Sequence, residues 1–392
     1  MSLWHIAWSY LWNRKLTTGL TILSVALGVG LIYSVLTLRE ETRKRFEEEG
    51  QSFDVVVGAK GSPLQLVLSA LYFMDVPTGN IKLSDYEGIK AHEDVAAAFP
   101  INMGDTYHGY RIVGTIKELF DYTWTSSSTG ETRKPFNFAE GQAFEKPMQA
   151  VLGSTVARTE GLKIGDTFVG AHGFTQMPEG MQEVHEGHPY TVVGILAPSG
   201  SPNDRAVFCT MDSVWEVHAH HDHGKEEAHE AEAHKEAETH KEGEPKDASK
   251  EVTAVLVSLQ SAALRFQFVE YANDTYNAMA TIPINQIANL YMNVLGTVKS
   301  VLLAVGYLVV AISAISILIG LYLSIIQRKR DLAVMRALGA SAYEIVGSVL
   351  IEAFLVTLLG IVAGWIVGNI VAWAVGLYLQ YRYGLTIGIF GM

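Results

Sequence analysis

Three long apolar segments constrain this chain more than any other feature, because uncharged runs of such length can cross a lipid bilayer. Residues 16–38 contain no charged side chain over 23 positions, or about 34 Å of helix. Residues 300–326 are also uncharged, and residues 345–379 are interrupted only by Glu352. The sequence therefore predicts an α-helical membrane protein with three evident spans, at 16–38, 300–326 and 344–380. A cleaved signal peptide is the competing interpretation of the first segment, but its apolar core would be shorter.

The third apolar segment is too long for one upright span. It forms either a helix that projects beyond the bilayer or a span that is broken near Gly360, Gly364 and Gly368. These glycines stand four residues apart on one helical face, which is typical of close helix packing. The partner of that face is either another helix of the same chain or a second subunit.

The connection between the second and third segments predicts the orientation of the spans. Its basic residues are Arg328, Lys329, Arg330 and Arg336, against the single acid Asp331. Because short basic loops stay in the cytoplasm, this connection and the N-terminus are expected inside, and residues 39–299 outside. Four basic residues at 39–45 oppose this orientation, but long translocated domains largely escape the charge rule.

The tail before the first span has its own pattern. Residues 1–15 place tryptophans at helical spacing, which predicts an amphipathic helix in the membrane interface. The alternative is the frayed start of the first span. At the other end, residues 381–392 are assigned to a C-terminal tail.

The long stretch between the first two spans has the composition of a soluble domain. Residues 40–49 continue the first helix with charged residues. Short β-rich runs follow at 53–59, 111–116, 150–157, 190–196, 205–210 and 253–259, and helical stretches lie near 84–91 and 261–280. This mixture predicts an α+β extracytoplasmic domain inserted between spans one and two. We find no nucleophile–base pairing in it and assign no catalytic residue.

A histidine-rich insertion at 216–250 interrupts this domain. It carries eleven acids and five lysines, so it contributes −6 to the net charge of −12. The rest of the chain is only mildly acidic, which argues against nucleic acid as a partner. The candidate metal ligands are His218, His220, His221, Asp222 and His223. Imidazoles at this density favour zinc or another transition metal in a low-affinity or buffering site. A solvated acidic linker is the alternative, and no other cofactor is expected to bind directly.

The remaining histidines and the single cysteine are expected to have no functional role. We interpret His172, His185 and His188 as surface residues, although the loop holding the last two could join the histidine-rich site. Cys209 cannot form an internal disulfide and is expected to be a small buried hydrophobe.

Residues 327–343 carry the most informative pattern. A basic end, a short amphipathic helix and a Leu-Gly-Ala-Ser turn precede the third span. Gly339 permits a sharp reversal and Ser341 can cap the next helix. A cytoplasmic helix between two spans can receive motion from a soluble partner, although a simple connecting turn is the alternative.

The stretch from Arg330 to Ser341, with the later Glu352, resembles the coupling region of the MacB/LolC/LolE/FtsX-like permeases. Residues 139–144, 151–153, 162–166 and 190–195 are similar to the family's periplasmic core. The resemblance covers about residues 10–215 and 250–380. Asp331 departs mildly from it, because glutamate is commoner there. The family's fourth span is not evident, so the expected count of four leaves the position of the C-terminus open.

The resemblance implies the permease subunit of an ABC transporter in a bacterial inner membrane, multi-pass and with a large periplasmic domain. It implies a homodimer or a paralogous permease partner, contact with membrane lipids, a periplasmic partner protein and a cytoplasmic ATPase. The expected coupling residues are Arg330, Asp331, Leu332, Met335, Arg336, Leu338 and Gly339, and Glu352 is an unusual membrane carboxylate. The chain has no Walker A pattern, so it is not expected to be the enzyme. The alternatives are a membrane-anchored metal-binding or sensing protein and an FtsX-like regulator of a periplasmic enzyme.

Overall fold

The computed structural model consists of long apolar helices and one α/β domain. It describes residues 15–126, 130–173, 185, 187–218, 250–292, 296–327, 329–337, 339 and 341–383. These residues fall into two compact units. One unit comprises the apolar helices, and the other lies between residues 44 and 290 of the sequence.

Three helices are long and apolar enough to cross a membrane by length and composition. They are α1 (Lys15–Gly50), α8 (Gly296–Gln327) and α10 (Ala342–Tyr383). The charged residues 40–49 continue α1 as predicted. α10 is a single helix of 42 residues that runs through all three glycines without a break. The interpretation of a broken third segment is therefore wrong for the described residues.

Close contacts join the apolar helices to one another. A Cβ atom on Gly364 would lie 2.8 Å from the carbonyl oxygen of Ala26, and one on Gly368 would lie 3.0 Å from that of Gly30. The Ser313 hydroxyl donates to the carbonyl oxygen of Ser24 at 2.9 Å. Small residues thus bring the backbones of α1 and α10 together, as is usual where helices pack in lipid. The glycine face contacts a helix of the same chain.

The α/β domain is built on an eleven-stranded sheet within the described residues. The strands of this sheet are β1 (Val55–Gly58), β3 (Val95–Tyr107), β4 (Tyr110–Thr115), β7 (Phe138–Gly141), β8 (Gln149–Leu152), β9 (Thr167–Phe168), β10 (Ala171–His172), β11 (Tyr190–Leu196), β12 (Ala206–Thr210), β14 (Ala254–Leu259) and β15 (Met279–Thr281). The main path pairs them in the order β15-β1-β14-β3-β4-β12-β8-β11-β7, while β10 pairs with β3 and β9 with β11. Most pairs are antiparallel, but β12–β4 and β11–β8 are parallel.

Shorter elements cover and join this sheet. The helices are α2 (Pro63–Ala70), α3 (Leu83–Lys90), α4 (Ser154–Glu160), α5 (211–218), α6 (Arg265–Thr275) and α7 (Pro283–Leu290). Two small pairs, β2 (Ile81–Lys82) with β13 (Glu251–Val252) and β5 (Trp124–Thr125) with β6 (Thr132–Arg133), lie outside the main sheet. Apolar side chains from both faces of the sheet are fully buried, among them Val56, Val57, Ile112 and Phe208. The predicted α+β domain between spans one and two is therefore confirmed.

Two predicted segments of the domain differ from the structure. Residues 150–157 were predicted as a β-rich run, but strand β8 ends at Leu152. After an extended Gly153, helix α4 begins at Ser154. The helical stretch at 261–280 contains the shorter helix α6 and then the strand β15. The predicted strand at 190–196 agrees with β11 residue for residue. The predicted interfacial helix at 1–15 lies almost wholly outside the described residues.

Cys209 is fully buried in β12, as predicted. Burial, followed by the nearby Asp105 carboxylate, raises the pKa of the thiol. The thiolate is the reactive form, so we expect Cys209 in the native full chain to resist maleimide at pH 7–8 and to react fully in denaturant. Mass spectrometry of the alkylated protein measures both states. Rapid native labelling would contradict the buried position.

Candidate functional site

The connection between α8 and α10 forms a short helix followed by a capped turn. The helix is α9 (Lys329–Ala337). Gly339 has a φ of +97°, which an L side chain rarely adopts. The Ser341 hydroxyl accepts a hydrogen bond from the Glu344 N–H at 3.3 Å, and the Glu344 carboxylate accepts one from the Ser341 N–H at 2.7 Å. This reciprocal pair is a capping box, so the predicted reversal at Gly339 and cap at Ser341 are confirmed.

The predicted coupling residues are distributed around this connection. Arg330, Arg336 and Gly339 are exposed, and Met335 is half-buried. Asp331 and Leu332 belong to α9, whereas Leu338 lies outside the described residues. Val334 is 53% exposed. The connection therefore presents arginines beside an apolar side chain, a surface that can bind a protein partner, and the role of each residue stays a prediction.

Glu352 lies inside the helical unit on α10. Its side chain is buried, and it lines a cavity of about 30 Å³ with residues of α1 and α8, among them Thr18, Thr21 and Gly320. A cavity of that size holds about one water molecule. Thr18 and Thr21 are the other polar residues that line this cavity, and a carboxylate within a span usually faces such a cavity or the interior of the bundle.

A second group of chemically active side chains lies in the α/β domain. Asp105 is 1% exposed, and its Oδ1 atom lies 3.4 Å from His172 Nδ1, 3.3 Å from His185 Nε2 and 3.7 Å from His218 Nε2. The three imidazole rings surround this carboxylate with centroids 5.3–6.3 Å apart. We call these four residues the Asp105 cluster.

Backbone pairing holds the Asp105 cluster together. In the ladder of β10 with β3, His172 stands directly opposite Asp105. The His185 N–H donates to the carbonyl oxygen of Gly170 at 3.0 Å, which ties its segment to the start of β10. His218 ends α5, and its ring lies over Gly104, where any Cβ atom would clash with Nε2. Segments that are far apart in sequence thus converge on one buried carboxylate.

The Asp105 cluster corrects part of the sequence analysis. His185 is not a surface residue, since its side chain is only 8% exposed. His172 is exposed as predicted, but it lies beside Asp105. Of the predicted metal ligands, His218 is described and joins the cluster, while His220, His221, Asp222 and His223 lie outside the described residues. Asp105 was missed altogether. A polar Gly-Asp-Thr step inside an apolar run was the only sequence signal for it.

An α/β domain inserted in the sequence between apolar helices, two of which are joined by the short helix α9, defines a helical membrane protein with one inserted domain. Two family models match the chain, and they establish the family. Residues 18–271 match the MacB-like periplasmic core domain, and residues 303–392 match the FtsX-like permease C-terminal domain. The chain belongs to the MacB/FtsX-like ABC transporter permease family.

Similar proteins agree with this family. The chain is 22% identical over 402 residues to the macrolide export ATP-binding/permease protein MacB of Nitrosomonas europaea, covering 98% of this chain and 54% of that protein. It is 32% identical over 83 residues to an uncharacterized ABC transporter permease of Methanocaldococcus jannaschii, covering 19% of this chain and 21% of that one. The chain therefore spans about half the length, or less, of the curated relatives it matches.

Two solved structures are similar to the α/β domain. The extracellular domain of the noncanonic ABC-type transporter YknZ from Gram-positive bacteria has a TM-score of 0.32 at 11% identity and covers 58% of this chain and 98% of that one. The periplasmic region of MacB from Actinobacillus actinomycetemcomitans has a TM-score of 0.35 at 9% identity, covering 62% and 95%. The family assignment rests on the family models.

Proposed function

We propose that this protein is the permease subunit of an ABC transporter that transmits the motion of a partner ATPase to its periplasmic domain. The ATPase docks on residues 327–341, and a homodimer or a pair of paralogous permeases forms the membrane part. The single observation that carries the proposal is the short helix α9, which lies between α8 and the capped start of α10. A short helix between two spans can convert a push on one side into a displacement of both spans.

Two further observations support a separate source of ATP hydrolysis. The 392 residues contain no Walker A pattern, so ATP binding of that kind has to come from outside them. The similar protein of Nitrosomonas europaea is named for both ATP binding and permease activity, and this chain matches 54% of its length. We place the protein in a bacterial inner membrane as a multi-pass protein that exports or extracts cargo, or signals mechanically to a periplasmic partner.

Charge reversal at Arg336 is expected to uncouple the ATPase. The guanidinium group is exposed on α9, and we place it opposite acidic residues of the partner. Truncating a buried interfacial ion pair typically costs about 2–5 kcal/mol, and reversal adds repulsion. Arg336→Glu should therefore lower permease-stimulated ATP hydrolysis at least tenfold, as measured in nanodiscs with the ATPase that co-purifies with the wild-type chain. Lys163→Glu, an exposed reversal in the α/β domain, is the control and should keep full stimulation. Full stimulation of Arg336→Glu would contradict the docking site.

Cysteine labelling can test the membrane orientation on which this proposal depends. Because Cys209 is buried, added cysteines can be introduced without removing it. Ala337→Cys on α9 and Lys163→Cys in the α/β domain are both exposed. An impermeant maleimide should label Lys163→Cys once the outer membrane is permeabilised, and Ala337→Cys only after the inner membrane is opened. Labelling of both cysteines from the same side would overturn the proposal.

A membrane-anchored metal-binding or sensing protein is the second candidate function, and the Asp105 cluster favours it. ATPase stimulation separates the two, and it is measured before and after a deletion of residues 219–249, which spares His218 and α5. A permease keeps its ATPase stimulation after the deletion, whereas a metal sensor without an ATPase partner shows no stimulation before or after it. The third alternative, regulation of a periplasmic enzyme, shares the same coupling and differs only in the partner that crosslinking to the α/β domain recovers.

A further inference from the structure

We propose that Asp105, His172 and His218 form a binding site for one divalent transition-metal ion of the zinc class. In this site His185 orients the Asp105 carboxylate. The site lies in the described part of the α/β domain and shares only His218 with the histidine-rich insertion at 216–250. Its ligand atoms all lie within 4.8 Å of one another.

The spacing of the donor atoms fits metal coordination. Metal bonds of 2.0–2.1 Å in a tetrahedral site place neighbouring donor atoms about 3.3–3.4 Å apart. Asp105 Oδ1 lies 3.4 Å from His172 Nδ1 and 3.7 Å from His218 Nε2.

The donor types in the cluster also favour a metal ion. Three imidazole rings, with centroids 5.3–6.3 Å apart, surround one carboxylate. Imidazole nitrogen and carboxylate oxygen are donors that zinc accepts. Asp105 Oδ2 is buried and accepts no hydrogen bond from the described residues. A cation bound at the carboxylate would compensate this cost.

The surroundings supply the remaining features of a metal site. His172 and His218 side chains are 42% and 32% exposed, so an ion can enter from solvent while Asp105 forms the buried floor. Gly104 leaves the space that the His218 ring occupies. His185 Nε2 lies 3.3 Å from Asp105 Oδ1, the usual position of a residue that orients a ligating carboxylate. Two nitrogens and one oxygen leave a coordination position for water, a donor set that zinc accepts.

The test separates this site from the histidine-rich run. One variant of the full chain, which we call the run-silent chain, has Asn in place of Asp222 and of the six histidines that follow His218. Those histidines are His220, His221, His223, His229, His234 and His240. The Asp105 cluster is left intact. Purified in detergent, this chain is titrated with Zn²⁺ by calorimetry and with Co²⁺ by absorption spectroscopy. We expect one ion per chain and the intense visible bands of four-coordinate Co²⁺. At one hundred times the dissociation constant, Zn²⁺ should also raise Tm by roughly 5–10 °C.

Variants in the run-silent background assign the ligands. His172→Asn should weaken Zn²⁺ binding at least about 100-fold and remove the Co²⁺ bands, while His185→Asn should weaken it about 10–100-fold and keep them. Gly104→Val should abolish binding by displacing the His218 ring without changing any ligand. His108→Asn is the matched control, because His108 is exposed, contacts Glu160 and has a φ that asparagine tolerates. Tm without metal checks that each variant folds.

The outcomes are distinct from those of the coupling proposal, which concerns another unit of the chain. Absence of Zn²⁺ binding by the run-silent chain would overturn the site, as would equal affinity in the folded His172→Asn and His108→Asn variants. Loss of binding only in the cluster variants would support it, whether or not the ATPase couples to α9.

Discussion

Replacing Gly364 with leucine is expected to separate α1 from α10 and to destroy the folded helical unit. A Cβ atom at this position would lie 2.8 Å from both the carbonyl oxygen of Ala26 and Cβ of Val29. Backbone atoms cannot move aside as the end of a flexible side chain can. Overpacking commonly costs about 1–3 kcal/mol, and a whole leucine side chain against the backbone should exceed that range. Most of the variant should be degraded or aggregated.

The matched control for Gly364→Leu is Gly19→Leu. Gly19 lies on α1, where a Cβ atom would meet nothing within 4 Å. The same chemical change there adds apolar surface toward lipid and improves helix propensity. Size-exclusion chromatography of fluorescently tagged, detergent-extracted protein measures both variants. Equal monodisperse yields for the two would show that the contact between α1 and α10 does not hold the unit together.

The elements that could be predicted from the sequence are those whose local pattern of apolar and polar residues matches their surroundings in the folded protein. A span is recognisable because lipid selects uncharged residues along its whole length, and α8 was placed from hydropathy alone. β11 was predicted to the residue because its burial alternates along the strand. Strand β3, by contrast, was not predicted, although it is the longest strand of the sheet. Pro100 and Gly104 interrupt its pattern, and only pairing with β14 and β4 makes that segment a strand.

The run at 150–157 shows why local composition misplaces a boundary. Its valines and alanines fit a strand and a helix equally well, so composition alone cannot tell where β8 ends. The strand ends where the Gly153 N–H donates to the carbonyl oxygen of Ala206, after which α4 begins. The information that fixes this boundary lies about fifty residues away in the sequence.

The candidate sites differ in the same way. Helix α9 and the turn that follows it were predicted because all their residues lie within one short stretch of sequence. The Asp105 cluster was not, because residues 105, 172, 185 and 218 are joined only by the pairing of β10 with β3 and by the end of α5. Histidines at 218–240 drew attention to one segment, whereas the described ligands mostly lie elsewhere.

Replacing Gly153 with alanine is expected to unfold the α/β domain under conditions in which the wild type is stable. Gly153 has an ordinary φ of −63°, so alanine meets no backbone strain there and the substitution tests space alone. Its Cβ atom would lie 2.5 Å from the backbone carbon and oxygen of Asp204 and would clash with the carbonyl oxygen of Asn203. Asp204 is held in place because its carboxylate accepts hydrogen bonds from the N–H groups of Ser199 and Gly200.

Relieving this clash requires the β8–α4 junction to move away from the turn before β12, which breaks the hydrogen bond from the Gly153 N–H to Ala206. The loss of that bond and of core packing should cost more than about 3 kcal/mol. Cys209 reports the event, since it stands opposite Ala150 in the same ladder. We measure the urea concentration at which half of Cys209 reacts with maleimide in the full chain. This midpoint should be clearly lower in Gly153→Ala than in the wild type. Gly187→Ala, where a Cβ atom would meet open space, should leave the midpoint unchanged, and an equal midpoint for both variants would contradict the packing at Gly153.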